Sequence, residues 1–266
     1  MIDARNVNVW IGRRQILSEV SFSAKPGEVT VIIGPNGSGK STLVKALSGD
    51  LPYSGMISLN GRELAQLRPS EAATIRAVLP QATRLSFPYT VREVVQLGLL
   101  KGNSGNRSAS SEGQHHMADH ALEKVDLAGF AGRFYQELSG GEQQRVQLAR
   151  VLCQVWAPML EGTPRWLILD EPISSLDIRH QILVMRIARD FAARGGGVVA
   201  VLHDLNLTAA FADRVAVFRQ GRAVAAGEAQ DVMQDAMLSH VFECNLKVGA
   251  IPAGRVPFVL PQTVQD

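Results

Sequence analysis

The apolar run Val29-Thr30-Val31-Ile32-Ile33 leads directly into Gly34-Pro35-Asn36-Gly37-Ser38-Gly39-Lys40-Ser41-Thr42, which satisfies the spacing G-x-x-x-x-G-K-[ST]. The order is strand, loop, then helix. Glycines let a backbone wrap tightly enough to aim several N–H groups at one phosphate, and the helix that follows adds the positive end of its dipole. Lys40 supplies a mobile cation for the outer phosphates of a nucleotide, and Ser41 a hydroxyl for Mg²⁺. The segment Gly34 to Thr42 is therefore read as a phosphate-binding loop, because strand, lysine and hydroxyl all agree.

A second stretch, Trp166-Leu167-Ile168-Leu169-Asp170-Glu171-Pro172, runs four apolar residues into two carboxylates. It predicts a buried parallel strand whose C-terminal edge faces the ligand. Asp170 is placed to hold Mg²⁺, and Glu171 to reach past the metal to the water that attacks the terminal phosphate, as a general base. Alone, such a stretch would read as a buried strand ended by solvated acids. The phosphate loop upstream decides for chemistry.

The third stretch is Leu138-Ser139-Gly140-Gly141-Glu142-Gln143-Gln144-Arg145. Ser139 and Glu142 have the spacing of a capping box, so a helix starts there, with Gly140 and Gly141 leaving its N-terminal amides bare. An ordinary capped helix explains Ser139 and Glu142 but not the paired glycines. Leu138 to Gln143 resembles the signature sequence of ABC-transporter nucleotide-binding domains. That resemblance implies an α/β fold: a P-loop ABC-type ATPase with a RecA-like core, an antiparallel β subdomain and an α-helical subdomain. It also implies that two copies sandwich two ATP in a head-to-tail dimer, with Ser139, Gly140, Gly141 and Gln143 facing the ATP on the partner's phosphate loop.

Further positions match the family one by one. Gln81, in Val78-Leu79-Pro80-Gln81, resembles the glutamine that senses Mg²⁺ and the attacking water, and it begins the region facing the membrane partner. Asp177, in Ser174-Ser175-Leu176-Asp177, resembles the acid of the loop that crosses the dimer interface. His203, in Val201-Leu202-His203-Asp204, resembles the switch histidine at the γ-phosphate. Two departures stand out. The family places an aromatic ring ahead of the first strands to stack on adenine, whereas Ile11 aligns there, with Trp10 one position early; adenine stacking and core packing are both open for Trp10. Ile173 replaces the threonine usual after Glu171-Pro172, at a position with no catalytic role.

Composition agrees with a compact protein. The chain has 266 residues, 46% of them hydrophobic, enough for a substantial core. The net charge of +2, with no basic run, argues against a nucleic-acid partner. Cys153 and Cys244 lie far apart in apolar-patterned helical contexts and read as buried free thiols of a reducing compartment. No stretch of 18 consecutive apolar residues and no signal-peptide core is found, so the membrane part of any transporter is expected on a separate chain.

The order of elements predicts one nucleotide-binding domain over 1–266. Residues 1–80 hold the β subdomain and the phosphate-loop part of the core, with short alternating segments and the turn Asn60-Gly61. Residues 81–152 form the helical subdomain, ending in the signature helix. Residues 153–266 complete the core and the C-terminal segment, with a helix near 179–194, a strand from Val198 to Leu202 and a Gln220-Gly221 hairpin. The polar stretch 102–113 has no apolar period and is expected as a flexible loop.

Phe87-Pro88-Tyr89-Thr90-Val91-Arg92-Glu93 and Leu202-His203-Asp204-Leu205-Asn206-Leu207-Thr208 resemble importers of metal chelates: ferric siderophores, cobalamin and heme. The long link between Arg150 and Asp170, with Gln154-Val155-Trp156-Ala157-Pro158 and Pro164-Arg165-Trp166, is similar to that of bacterial hemin importers, as is Asp177-Ile178-Arg179-His180-Gln181. The resemblance implies an ATPase peripheral to the cytoplasmic face of a bacterial inner membrane, coupled to a separate permease dimer and, indirectly, to a periplasmic heme-binding protein. Siderophore or cobalamin import is the alternative. A soluble ABC ATPase acting on ribosomes or DNA fits less well, because there is one motif set and no sustained heptad pattern. His115, His116 and His120 are read as solvated surface, not as heme ligands.

Overall fold

The structure is a computed structural model that describes residues 1–83, 85, 87–99, 111–252, 254 and 257–263. The chain opens on an antiparallel hairpin, β1 (Ile2–Ile11) and β2 (Arg14–Ala24), and then crosses into β3 (Val29–Ile33). The free edge of β1 takes β4 (Ser54–Leu59), which turns back through Asn60 and Gly61 into β5 (Arg62–Glu63). The resulting sheet has the order β2-β1-β4-β5.

A second sheet adds β6 (Arg76–Leu79), β9 (Trp166–Asp170), β10 (Gly197–Val201), β11 (Arg214–Arg219) and β12 (Arg222–Glu228), with β7 (Met159–Leu160) and β8 (Thr163–Pro164) set apart as a small hairpin. Its order is β12-β11-β3-β10-β9-β6. All neighbours are parallel except the hairpin β11–β12. Every residue of β3, β9 and β10 is buried, which is why these strands read as unbroken apolar runs.

Successive residues of a strand face opposite sides, and here the two sides feed separate cores. Val29, Val31, Ile33, Leu167, Leu169, Val198 and Ala200 pack toward the helical side. Ile32, Trp166, Ile168, Val199 and Val201 pack toward the antiparallel sheet and the helix α1 (Lys40–Leu47). Beyond α2 (Pro69–Ile75), three helices pack on one another: α3 (Val91–Gln96), α4 (Ser111–Lys124) and α5 (Gly140–Gln154). Their apolar faces, including Val94, Val95, Ala121, Leu122, Val146 and Ala149, are buried. Then come α6 (Ile178–Ala193) and α7 (Leu205–Phe211), with α8 (Ala229–Val232) and α9 (Asp235–Phe242) near the C-terminus. Among the described residues, no helix is long and apolar enough to cross a membrane.

Several expectations change. Arg76–Leu79, read with the antiparallel segments, instead pairs parallel to β9, because its buried residues Ala77 and Leu79 complete the helical-side core. Cys153 is buried in α5, and burial pushes its thiol up to about 12. Cys244 is exposed, because it lies past the end of α9. In the polar stretch 102–113, residues 102–110 lie outside the described residues, whereas 111–113 already belong to α4. His115, His116 and His120 therefore stand on a helix, and among the described residues no group of three or more His, Cys, Asp or Glu side chains is arranged to hold a metal ion.

The long link is an ordered structure. Glu161 and Gly162, both at positive φ, turn β7 into β8. The Asn60 side chain then ties it down, donating to the Pro164 carbonyl at 2.7 Å and accepting from Trp166 Nε1 at 3.0 Å.

Candidate functional site

Between β3 and α1 the backbone turns through two positions that only glycine tolerates. Gly34 has φ 149°, and a Cβ there would lie 2.1 Å from the Phe218 carbonyl oxygen; Gly39 has φ 103°, and a Cβ there would lie 2.6 Å from a Leu17 methyl. The loop curls around Lys40, whose Nζ donates to the Gly34 and Pro35 carbonyls, each at 2.9 Å. Burial holds the Lys40 ammonium below its ordinary range, opposed by Glu171 and Asp170. Ser38 Oγ is buried without a hydrogen-bond partner. A buried hydroxyl of this kind costs about 1–3 kcal/mol unless something bonds it, and a phosphate oxygen is a suitable partner.

The strand β9 ends beside this loop. Asp170 is 2% exposed and accepts from Ser41 Oγ at 3.0 Å. Burial raises its carboxyl, the Ser41 hydroxyl lowers it and the neighbouring Glu171 raises it. Glu171 has φ 53°, a left-handed conformation that side chains other than glycine adopt mainly where surrounding structure imposes it. That turn aims both carboxylate oxygens: Oε1 stands 2.7 Å from His203 Nε2, and Oε2 accepts from Gln81 Nε2 at 2.9 Å. Gln144 Nε2 donates to the Glu171 carbonyl at 3.0 Å. Sequence reading missed this bracing of the turn by α5, since nothing in local spacing pairs residues 144 and 171.

Gly39, Lys40, Ser41, Gln81, Glu171 and His203 share one cavity of about 790 Å³, which Asn36, Gly37, Thr42, Ile11, Arg14 and Ile16 also line; Gly34, Pro35, Ser38 and Asp170 lie close to its lining residues in sequence but do not line it. Trp10 is not among its lining residues and is 48% exposed. It neither packs in the core nor lines the cavity; successive residues of β1 face opposite sides, and Ile11, itself exposed, is the one on the cavity side. Ile11, Arg14 and Ile16 sit where the β1–β2 hairpin closes, with Ile11 opposite Arg14. Their position depends on that register and not on any motif.

A second group lies elsewhere on the chain. Ser139 caps α5: its N–H and Oγ both donate to Glu142 Oε2 at 2.8 Å, while Glu142 N donates back to Ser139 Oγ at 3.4 Å. A Cβ on Gly140 would meet nothing within 4 Å, so this helix start is open on one side. Gly141 is close-packed, with its would-be Cβ 3.0 Å from the Ser175 carbonyl. Gln143 Nε2 faces back to the Tyr135 and Leu138 carbonyls at 3.2 and 3.1 Å. Asp177 caps α6 by accepting from His180 N at 3.0 Å. Neither Ser139, Gly140, Gly141, Gln143 nor Asp177 lines the cavity of its own chain.

The donor set suits a nucleotide with a hard cation. Ser41 Oγ and Asp170 Oδ1 are paired oxygens beside the phosphate loop, and Mg²⁺ takes one or two protein oxygens together with substrate phosphates and water.

The sequence model of the ABC transporter family matches residues 17–174. The chain is 68% identical to the hemin import ATP-binding protein HmuV of Chelativorans sp. (strain BNC1), over 99% of both chains. It is 62% identical to the hemin import ATP-binding protein HmuV of Mesorhizobium japonicum, again over 99% of both. Among solved structures, an ATP-binding cassette in a dimeric, post-hydrolysis state bound to ADP and phosphate superposes with a TM-score of 0.75 at 26% identity, covering 86% of this chain and 99% of the other.

Proposed function

We propose, on the premise that this chain belongs to the ABC transporter family, that it is the ATP-hydrolysing subunit of a membrane importer for heme. The observation that carries the ATPase reading is Glu171, held at the edge of the cavity between His203 and Gln81 and beside Lys40 and Ser41. The cargo rests on full-length relatives named as hemin import proteins.

Two copies pack head to tail, so that the phosphate loop of one meets the open helix start at Ser139 of the other. The placement of Ser139 to Gln143 and Asp177 outside the cavity supports that arrangement. The amides of residues 34–42, with Lys40, hold the phosphates. Glu171 accepts a proton from the water that attacks the γ-phosphorus; the bond to the bridging oxygen breaks and ADP leaves with inorganic phosphate. His203 and Gln81 orient the Glu171 carboxylate and the water. Ser41 and Asp170, with Gln81 nearby, would hold Mg²⁺, which would supply neutralisation of charge on the phosphates. The chain works at the cytoplasmic face of the inner membrane against a separate permease dimer, which receives heme from a periplasmic binding protein.

The test is growth of an iron-starved host on hemin as sole iron source. Deletion of this chain is expected to abolish growth, and restoring it to recover growth. If deletion spares hemin use but stops uptake of a ferric siderophore or cobalamin, the cargo reading is wrong and the ATPase reading stands.

A further inference from the structure

The turn that starts at Glu171 ends at Asp177. On the first turn of α6, His180 has a carboxylate at each ring nitrogen: Nδ1 lies 2.8 Å from Asp177 Oδ1, and Nε2 lies 3.3 Å from Asp126 Oδ2. Asp126 belongs to a different part of the fold. It follows α4 in a left-handed conformation at φ 59°. Its carbonyl accepts from the buried Arg145 of α5 at 2.7 Å, and that of Val125 accepts from the same nitrogen at 2.9 Å. The Asp126 turn is therefore bound to the helix that begins at Ser139.

Two side chains approach the Asp126 carboxylate, and they differ in kind. Arg179 pairs with it at 3.0 Å, but its side chain is 76% exposed. Pairs of that sort contribute little, because water screens them and a long side chain must be ordered. His180 is 16% exposed and held on both sides, so its ring has little freedom left. The turn itself is braced elsewhere by Gln181, whose Nε2 donates to the Ile173 and Leu176 carbonyls at 3.3 and 3.0 Å.

We infer that His180 is a positioning residue that ties the Glu171–Asp177 turn to the Asp126 turn and, through Arg145, to the helix starting at Ser139. The group that activates water in one site and the segment offered to the other copy then move as one piece. This rests on the two-copy ATPase reading above. A misplacement of about 1 Å at a reacting centre costs on the order of 10²-fold in rate, so a contact worth little to stability is able to matter for turnover.

The experiment is steady-state ATP hydrolysis by the purified full chain, with thermal melting in parallel, for His180→Ala, Asp126→Asn and the double variant. Each single variant is expected to lower kcat about tenfold with KM for ATP and the melting temperature near wild type, and the double variant to fall no further, as partners in one contact do. His180→Gln, which keeps one N–H, is expected to recover part of the rate, and Arg179→Ala to leave it near wild type. Additive losses, a loss confined to KM, an undiminished His180→Ala, or an Arg179→Ala as slow as His180→Ala each overturn the inference. A wild-type chain that does not hydrolyse ATP overturns the ATPase reading and this inference with it, whereas an active wild type with additive variants overturns this inference alone.

Discussion

Glu171 Oε1 and His203 Nε2 lie 2.7 Å apart at the ends of two neighbouring parallel strands, β9 and β10. The other neighbour of β9 is β6, and just past its end Gln81 bonds the second oxygen of the same carboxylate at 2.9 Å. One carboxylate is thus aimed by groups from the strands on either side of it.

Replacing Glu171 by Gln keeps the side chain's shape and leaves Asp170 in place, but removes the group that takes the proton. Hydrolysis is expected to fall about 10²–10⁴-fold, with ATP affinity close to wild type. Parallel assays of phosphate release and nucleotide binding check this, and a Glu171→Gln protein that turns over normally would exclude Glu171 as the base.

The open side of α5 at Gly140, with Ser139 outside its own cavity, leads to an association that depends on nucleotide. The Glu171→Gln protein is expected to be monomeric alone and dimeric with ATP, and the further change Ser139→Arg to keep it monomeric, since a long cation would fill the space meant for a phosphate. Light scattering with and without ATP decides it. A dimer indifferent to both ATP and Ser139→Arg contradicts the shared site.

Asn60 sits at φ 52° and joins the β4–β5 turn to the long link through Pro164 and Trp166. Asn60→Ala is expected to destabilise the protein by about 1–3 kcal/mol, because the part-buried Trp166 N–H and Pro164 carbonyl lose their partner. A Trp166→Phe background should shrink that cost. Chemical denaturation of the single and double variants measures both, and an Asn60→Ala protein as stable as wild type would show that the link does not depend on this contact.

What the sequence alone determined is local. The glycine-rich loop between β3 and α1, the buried strand running into Asp170 and Glu171, and the Ser139–Glu142 cap all follow from the types and spacing of adjacent residues, and each of these local structures is found. Its limits are equally physical. Alternation along β1 sends Ile11 to the cavity and Trp10 to solvent, and only the register of the first hairpin says which is which. Gly197 looks like one more residue of a flexible glycine run, yet it pairs with Trp166, whose ring would lie 2.3 Å from any Cβ there. Arg76–Leu79 pairs parallel with Trp166–Leu169, a strand much later in the chain, where Ala77 and Leu79 are buried in the helical-side core. The meeting of Gln81, Glu171 and His203, and of Asp126 with His180, was likewise decided by tertiary structure. Hydrogen bonds and packing between residues far apart in the chain depend on strand order and helix placement, which no window of neighbouring residues contains.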